Sequence, residues 1–327
     1  MKCLLLLICF LPISLGKEVH NDDLIERDGL WYEKFTVTPY TGSVYTDYIV
    51  KYADDQRVKN GEIVNGLKEG FWQKYWGNGN LYQKSFFTNG DIEGEFRQYF
   101  ENGKLEMAYS RKDGELDGPS KKYYENGQLE YKSSYKDGKR EGPYECYYEN
   151  GRLEYKAIYK DGKREGPCEN YYENGRLESK AIYKDGKREG PYENYYENGQ
   201  LKWKVSFKGG ERYGSYESYY DHGQLEKKWS YKDGERDGPY TSYHENGQLS
   251  SEGFMKNGEP DGRWEYYHEN GRLKAKSVFK DGERDGPYTS YHENGKLEYK
   301  GSYKKGKNIG QWRKYYPNGK LESKKKW

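Results

Sequence analysis

Beyond residue 16 the sequence contains no long apolar run, which excludes a membrane-spanning helix there, since one needs about 20 consecutive apolar residues. Charge of one sign is lacking too. The 56 basic and 54 acidic residues leave a formal net charge of +2. They are interleaved, apart from Lys324-Lys325-Lys326 at the end. Such a balance gives no electrostatic ground for a nucleic-acid partner. Cysteine is scarce, four in all, and Cys3 and Cys9 lie in the first 16 residues. Hydrophobic residues make up only 33%, too few for the two globular domains that the length would suggest. Yet 17% are aromatic, including 39 tyrosines, alongside 41 glycines. A disordered chain is poor in aromatics, so a thin sheet fits best.

The one apolar run is at the start. Lys2 precedes an unbroken stretch from Cys3 to Leu11, and Ser14 and Gly16 are small residues at −3 and −1 of a cleavage site. This pattern predicts a secretory signal peptide over 1–16, cut after Gly16, and export to the periplasm or beyond the cell. Neither Cys3 nor Cys9 is placed for a lipoprotein anchor. The mature chain is expected to be soluble.

What the sequence has in abundance is repetition. Asn-Gly recurs every 24 residues from Asn78-Gly79 to Asn318-Gly319, with His222-Gly223 filling the one gap, and a second glycine series runs from Gly70 to Gly310 at the same spacing. A fixed short period is the signature of a repeat architecture. In the unit Gly142 to Glu165, Tyr144 to Glu149 reads as one strand and Leu153 to Lys160 as the return strand. Asn150-Gly151 between them reads as a two-residue type I′ turn, which needs φ > 0 at both central residues. Asp161-Gly162 opens the next turn, and Gly166 is expected to start the next hairpin. The fold class is therefore all-β: an elongated single-layer antiparallel sheet of tandem 24-residue β-hairpins, about 100 Å long if each hairpin adds roughly 9.6 Å. About eleven units fill residues 46–327, the last one truncated. Residues 17–45 do not follow the repeat and are expected to form the terminal cap that such arrays need.

A two-residue turn sets the register: Glu149 opposite Arg152, Tyr148 opposite Leu153, Glu145 opposite Lys156. Alternation along strands then puts Tyr144, Tyr148, Leu153, Tyr155, Ala157 and Tyr159 on one face. Glu145, Tyr147, Glu149, Arg152, Glu154, Lys156, Ile158 and Lys160 fall on the other. Cross-strand ion pairs are expected at Glu169/Lys180, Glu193/Lys204, Glu217/Lys228 and Glu265/Lys276, while Lys121/Lys132 and Arg313/Lys324 break the charge rule. The Leu153 and Tyr147 positions keep leucine and tyrosine throughout and are read as structural, stacking on their neighbours. The Tyr144 and Tyr148 positions vary more. Along them the candidate binding face carries Tyr192, Tyr196, Tyr216, Tyr220, Tyr240, His244, Trp264, His268, Tyr288 and His292, because an aromatic face with no second layer over it invites a partner. Cys168 stands at the Tyr144 position and Cys146 two residues along its own strand. That is on the order of 10 Å apart, beyond the ~7 Å Cα limit for a disulfide, so free thiols are expected.

Singular chemistry is missing. His244, His268 and His292 share one repeat position and so lie about 9.6 Å apart in succession, too far for one zinc ion with bonds of about 2.0–2.1 Å. The Asp-Gly-Lys-Arg-Glu-Gly turns set lysine and arginine beside the carboxylates and lack the spacing of a calcium loop. There is no Gly-x-Ser-x-Gly elbow and no phosphate loop. No enzyme activity, metal or cofactor is expected.

The unit Tyr123 to Gly142, YYENGQLEYKSSYKDGKREG, resembles the variant MORN repeat, and the resemblance covers roughly residues 46–327. Leu24 to Tyr32 with Pro39-Tyr40-Thr41-Gly42 resembles the start of bacterial members, many of them YwqK-type antitoxins. The resemblance implies a single-layer sheet used in protein or membrane-surface contacts, with no catalytic residues. The expected function is a secreted scaffold binding a protein through its aromatic face; the alternative is a module binding glycan or the cell envelope.

Overall fold

The computed structural model describes residues 17–48 and 56–327. The signal-peptide segment lies outside the described residues. Two compact units divide at Gly151/Arg152, and strands of consecutive hairpins make up each. No α-helix occurs among the described residues; one 3-10 turn spans Asn21–Asp23.

In the first unit, Lys17–His20 pairs with Gly42–Tyr48 in parallel, a departure from the all-antiparallel expectation. Gly42–Tyr48 then pairs antiparallel with Gln56–Val64, and that strand with Leu67–Tyr75. Leu24–Arg27 and Leu30–Glu33 form a small separate hairpin. Val19, Leu24, Tyr40, Val44, Ile63 and Trp72 cluster as a buried core, with Trp31 and Phe87 packed against it. The non-repeating segment thus covers Trp72 in the first regular repeat. Tyr40 ties the segment down by donating its hydroxyl to the carbonyl of Lys17 and to that of Ser43 at 3.1 Å.

The second unit shows the repeat most plainly. Lys163–Tyr171, Leu177–Lys184 and Lys187–Tyr195 pair in sequence order, all antiparallel. The turn chemistry is the reverse of the sequence reading. At Asn174-Gly175 only the glycine has positive φ. The Gly175 N–H donates to Tyr172 O at 2.7 Å, and the Tyr172 N–H to Arg176 O at 2.8 Å. This is a three-residue loop, a type I turn closed by a left-handed glycine. The type I′ turn sits instead at Asp185-Gly186, with φ of 50° and 81°, between the paired Lys184 and Lys187.

The longer loop moves Leu177 opposite Tyr171, not Tyr172. Glu178 is then an extra residue, and the expected register resumes at Asn170↔Ser179 and Glu169↔Lys180. A β-bulge absorbs the one-residue error, so the two faces come out as expected except at the bulge itself. There the leucine lies with Tyr171 on the charged face and the glutamate turns to the aromatic face, the reverse of the expectation for Leu153 and Glu154. In the second glycine series a strand begins at Gly118, Gly142, Gly238 and Gly286, but not at every member. Gly190, at φ 75°, lies inside the strand Lys187–Tyr195, where the register shifts again opposite Ile182.

The charged face also pairs differently. Glu169 and Lys180 are opposite each other, but the ion pairs run to the strand on the other side: Lys156–Glu169, Lys180–Glu193 and Lys204–Glu217, each at 2.9 Å. Pairs within a hairpin occur at Glu217–Lys228, 3.1 Å, and Glu265–Lys276, 2.7 Å. The Tyr147-type tyrosines make polar contacts on the charged face. Tyr171 and Tyr195 donate their hydroxyls to Glu169 and Glu193, and Tyr219 donates to Glu217 at 2.6 Å. Cys168 is a buried free thiol, 3.3 Å from the Tyr155 hydroxyl.

Candidate functional site: the aromatic face of residues 152–327

Alternation delivers the rings of Tyr192, Trp203, Tyr216, Trp229, Tyr240 and Trp264 to one face, where they form a run. Their centroids are 4.8, 6.3, 4.0, 6.0 and 5.2 Å apart in that order. Offset and edge contacts in this range add about 0.5–1.5 kcal/mol per pair beyond area burial. Arginines cap the rings: Arg188 over Tyr192 at 4.6 Å, Arg236 over Trp229 at 4.5 Å, Arg284 over Tyr288 at 5.3 Å. Burial pushes the Tyr216 and Tyr266 hydroxyls above the usual phenol range.

Ring size is balanced across the strands. Trp264, 6% exposed, packs against Gly253, where a side chain would collide with the indole. Trp72 and Trp312 face Gly61 and Gly301 in the same way. Tyr192, by contrast, pairs with Ala181.

The Tyr148-type row does a second job. Tyr196 and Tyr220 donate their hydroxyls to Tyr219 O and Tyr243 O, at 2.8 and 2.9 Å. His244, His268 and His292 place Nε2 at 3.0, 2.9 and 2.9 Å from Tyr267 O, Tyr291 O and Tyr315 O. A carbonyl only accepts, so Nε2 carries the proton in each. Every bond reaches 23 residues ahead, stitching one repeat to the next. The turn asparagines run in parallel. Asn246 donates to Glu269 O at 2.8 Å while its Oδ1 accepts from Gln248 N at 3.0 Å.

Of the ten candidate residues, Trp264 is buried and the other nine are half-buried. Tyr192, Tyr216, Tyr240 and Trp264 join the ring run, and Tyr288 stacks on Trp312 at 5.8 Å. The remaining five form the stitching row. Sequence reasoning missed the cleft between these two rows. It has a volume of about 360 Å³ and is lined by His244, His268, Tyr266, Tyr288, Lys274 and Arg284 among others. Its signal was present: Lys274 stands where seven repeats carry glutamate.

No curated protein matches the chain. Among solved structures, the crystal structure of TcdB2-TccC3 aligns over 81% of this chain and 17% of that one, at 10% identity and a TM-score of 0.18. The Tc holotoxin pore of Photorhabdus luminescens, with the mutation TccC3-D651A, aligns over 82% and 16%, at 11% identity and a TM-score of 0.18. The chain spans about a sixth of the length of these proteins, and such scores establish no common architecture. The MORN repeat variant family matches ten times in tandem: at residues 92–113, 116–137, 140–161, 164–185, 188–208, 212–233, 236–257, 260–281, 284–305 and 309–327. With these matches covering well over half of its length, the chain belongs to the MORN repeat variant family.

Proposed function

We propose that this chain is an exported, non-enzymatic repeat scaffold that holds a protein partner against the aromatic face. The observation that supports it is the ring run from Tyr192 to Trp264, in which Tyr192, Trp203, Tyr216 and Tyr240 stay half-buried while Trp229 and Trp264 are buried. Tyrosine, tryptophan and arginine are the residues that dominate binding hot spots. Rings already held by stacking lose little conformational freedom when a partner arrives. Most acids and bases on the face recur by repeat, whereas a catalytic constellation is singular. Membership of the MORN repeat variant family agrees with an interaction role, and the signal-peptide pattern is the ground for seeking the partner outside the cytoplasm.

The test uses the purified mature chain as bait in an extracellular fraction. Replacing Tyr240 and Tyr288 with serine is expected to abolish capture of the partner while circular dichroism shows the sheet intact. Reversing Glu193 and Lys204 is expected to leave capture unchanged. Capture that survives the tyrosine changes and fails on charge reversal would assign binding to the opposite face. Retention on cell-wall glycan, with no protein captured, would favour the glycan-binding alternative.

A further inference from the structure

We infer that the cleft between the two rows takes carboxylate side chains, and that the partner presents an acidic peptide segment there. This rests on the scaffold reading and names the partner's chemistry. The bulge beside each Asn-Gly turn turns one extra residue toward the aromatic face. In the sequence that position is glutamate in seven repeats: 106, 130, 154, 178, 226, 298 and 322. Several of these glutamates are matched locally. Glu226 pairs with Lys227 at 2.7 Å, and Glu322 with Lys314 at 2.9 Å. Between Ser242 and His292 the pattern breaks, and the position holds Ser250 and then Lys274.

Lys274 is exposed and opens into the cleft together with Arg284. The one carboxylate in the lining, Glu298, already accepts a hydrogen bond from Ser290 at 3.1 Å. Glu245 and Glu269 line a separate cleft at the turns. Two cations therefore face one engaged carboxylate, with the Tyr266 and Tyr288 rings beside them. Charge-assisted bonds from lysine and arginine to a carboxylate are about twice as strong as neutral ones. Arg284, held by the Tyr303 hydroxyl at 3.4 Å and lying over the Tyr288 ring, is a fixed second charge beside Lys274. Lys202 is the other lysine at this repeat position. It lies over the Tyr196 ring at 5.3 Å and outside the cleft, which makes it an internal control.

The experiment is titration calorimetry of the full mature chain at low salt. The probes are an end-blocked hexaglutamate peptide, hexaglutamine, and an oligogalacturonate as an acidic glycan. Hexaglutamate is expected to bind and hexaglutamine not. Lys274→Glu should weaken hexaglutamate binding about fivefold or more, while Lys202→Glu should change it less than about twofold. Both variants install the residue that most repeats already carry, so both should fold. Equal losses in the two variants would mean bulk charge and overturn the inference. So would the absence of hexaglutamate binding, or binding of oligogalacturonate alone. If Lys274→Glu leaves capture of the protein partner intact, the acidic-segment inference falls and the scaffold reading stands.

Discussion

The indole of Trp264 lies flat against the backbone at Gly253, and its N–H donates to Phe254 O at 3.2 Å. A Cβ on Gly253 would sit 2.3 Å from an indole ring carbon, so the pair is one unit of packing. Gly253→Ala is expected to destabilise the chain by about 1–3 kcal/mol through overpacking. Adding Trp264→Tyr should recover much of that, because Ala181 opposite Tyr192 is the same pair elsewhere in the array. Urea midpoints for the two variants check this, and an unshifted midpoint for Gly253→Ala would refute the packing account.

The exchange of turn types makes the two Xaa-Gly series respond differently to glycine. Asp233, at φ 50°, occupies a left-handed position that Gly209 fills in another repeat, so Asp233→Gly should shift stability by no more than a few tenths of a kcal/mol. Asn246 makes two hydrogen bonds, so Asn246→Gly should cost about 1–2 kcal/mol. The reverse order in thermal melts would restore the sequence reading of the Asn-Gly turn.

His268→Phe removes the N–H that reaches Tyr291 O at 2.9 Å and should cost about 1 kcal/mol. His268→Tyr restores a donor of the kind that Tyr196 and Tyr220 already use, and should cost much less. Hydrogen exchange at the amides around Tyr291 reads the effect locally. Equal protection in both variants would show that the row does not stitch the repeats.

Glu217 titrates low, at about 2 against an ordinary 4.5. The Tyr219 hydroxyl is the largest cause, followed by Lys204 and Lys228, with burial opposing them. Its side chain is 15% exposed. A depressed carboxylate stabilises the fold above its unfolded pKa, and that contribution fades as pH falls from about 4.5 toward 2. The amount at neutral pH is on the order of 2 kcal/mol after allowance for screening. Glu217→Gln should therefore flatten the stability profile across that window while lowering stability above it. A profile parallel to wild type would refute the assignment.

The sequence by itself determined the period, the hairpin unit and, outside the leucine and glutamate at each bulge, the division of residues between two faces, because alternation and glycine punctuation are local properties of a strand. It also placed every ring of the candidate face on the correct side, since the bulge at Glu178 corrects the misread turn before the register can invert. The Trp–Gly pairs were legible as well, at Gly253 with Trp264 and Gly301 with Trp312, had positions 11 apart been compared. Only the tertiary structure decided which neighbour each group uses. The lysine that meets Glu169, the carbonyl that meets His268 and the arginine that covers Tyr192 all depend on where bulges bring the adjacent strands together. The cleft at Lys274 is of the same kind, since a single residue against the repeat gains its meaning only when Arg284 and Tyr288 are brought beside it.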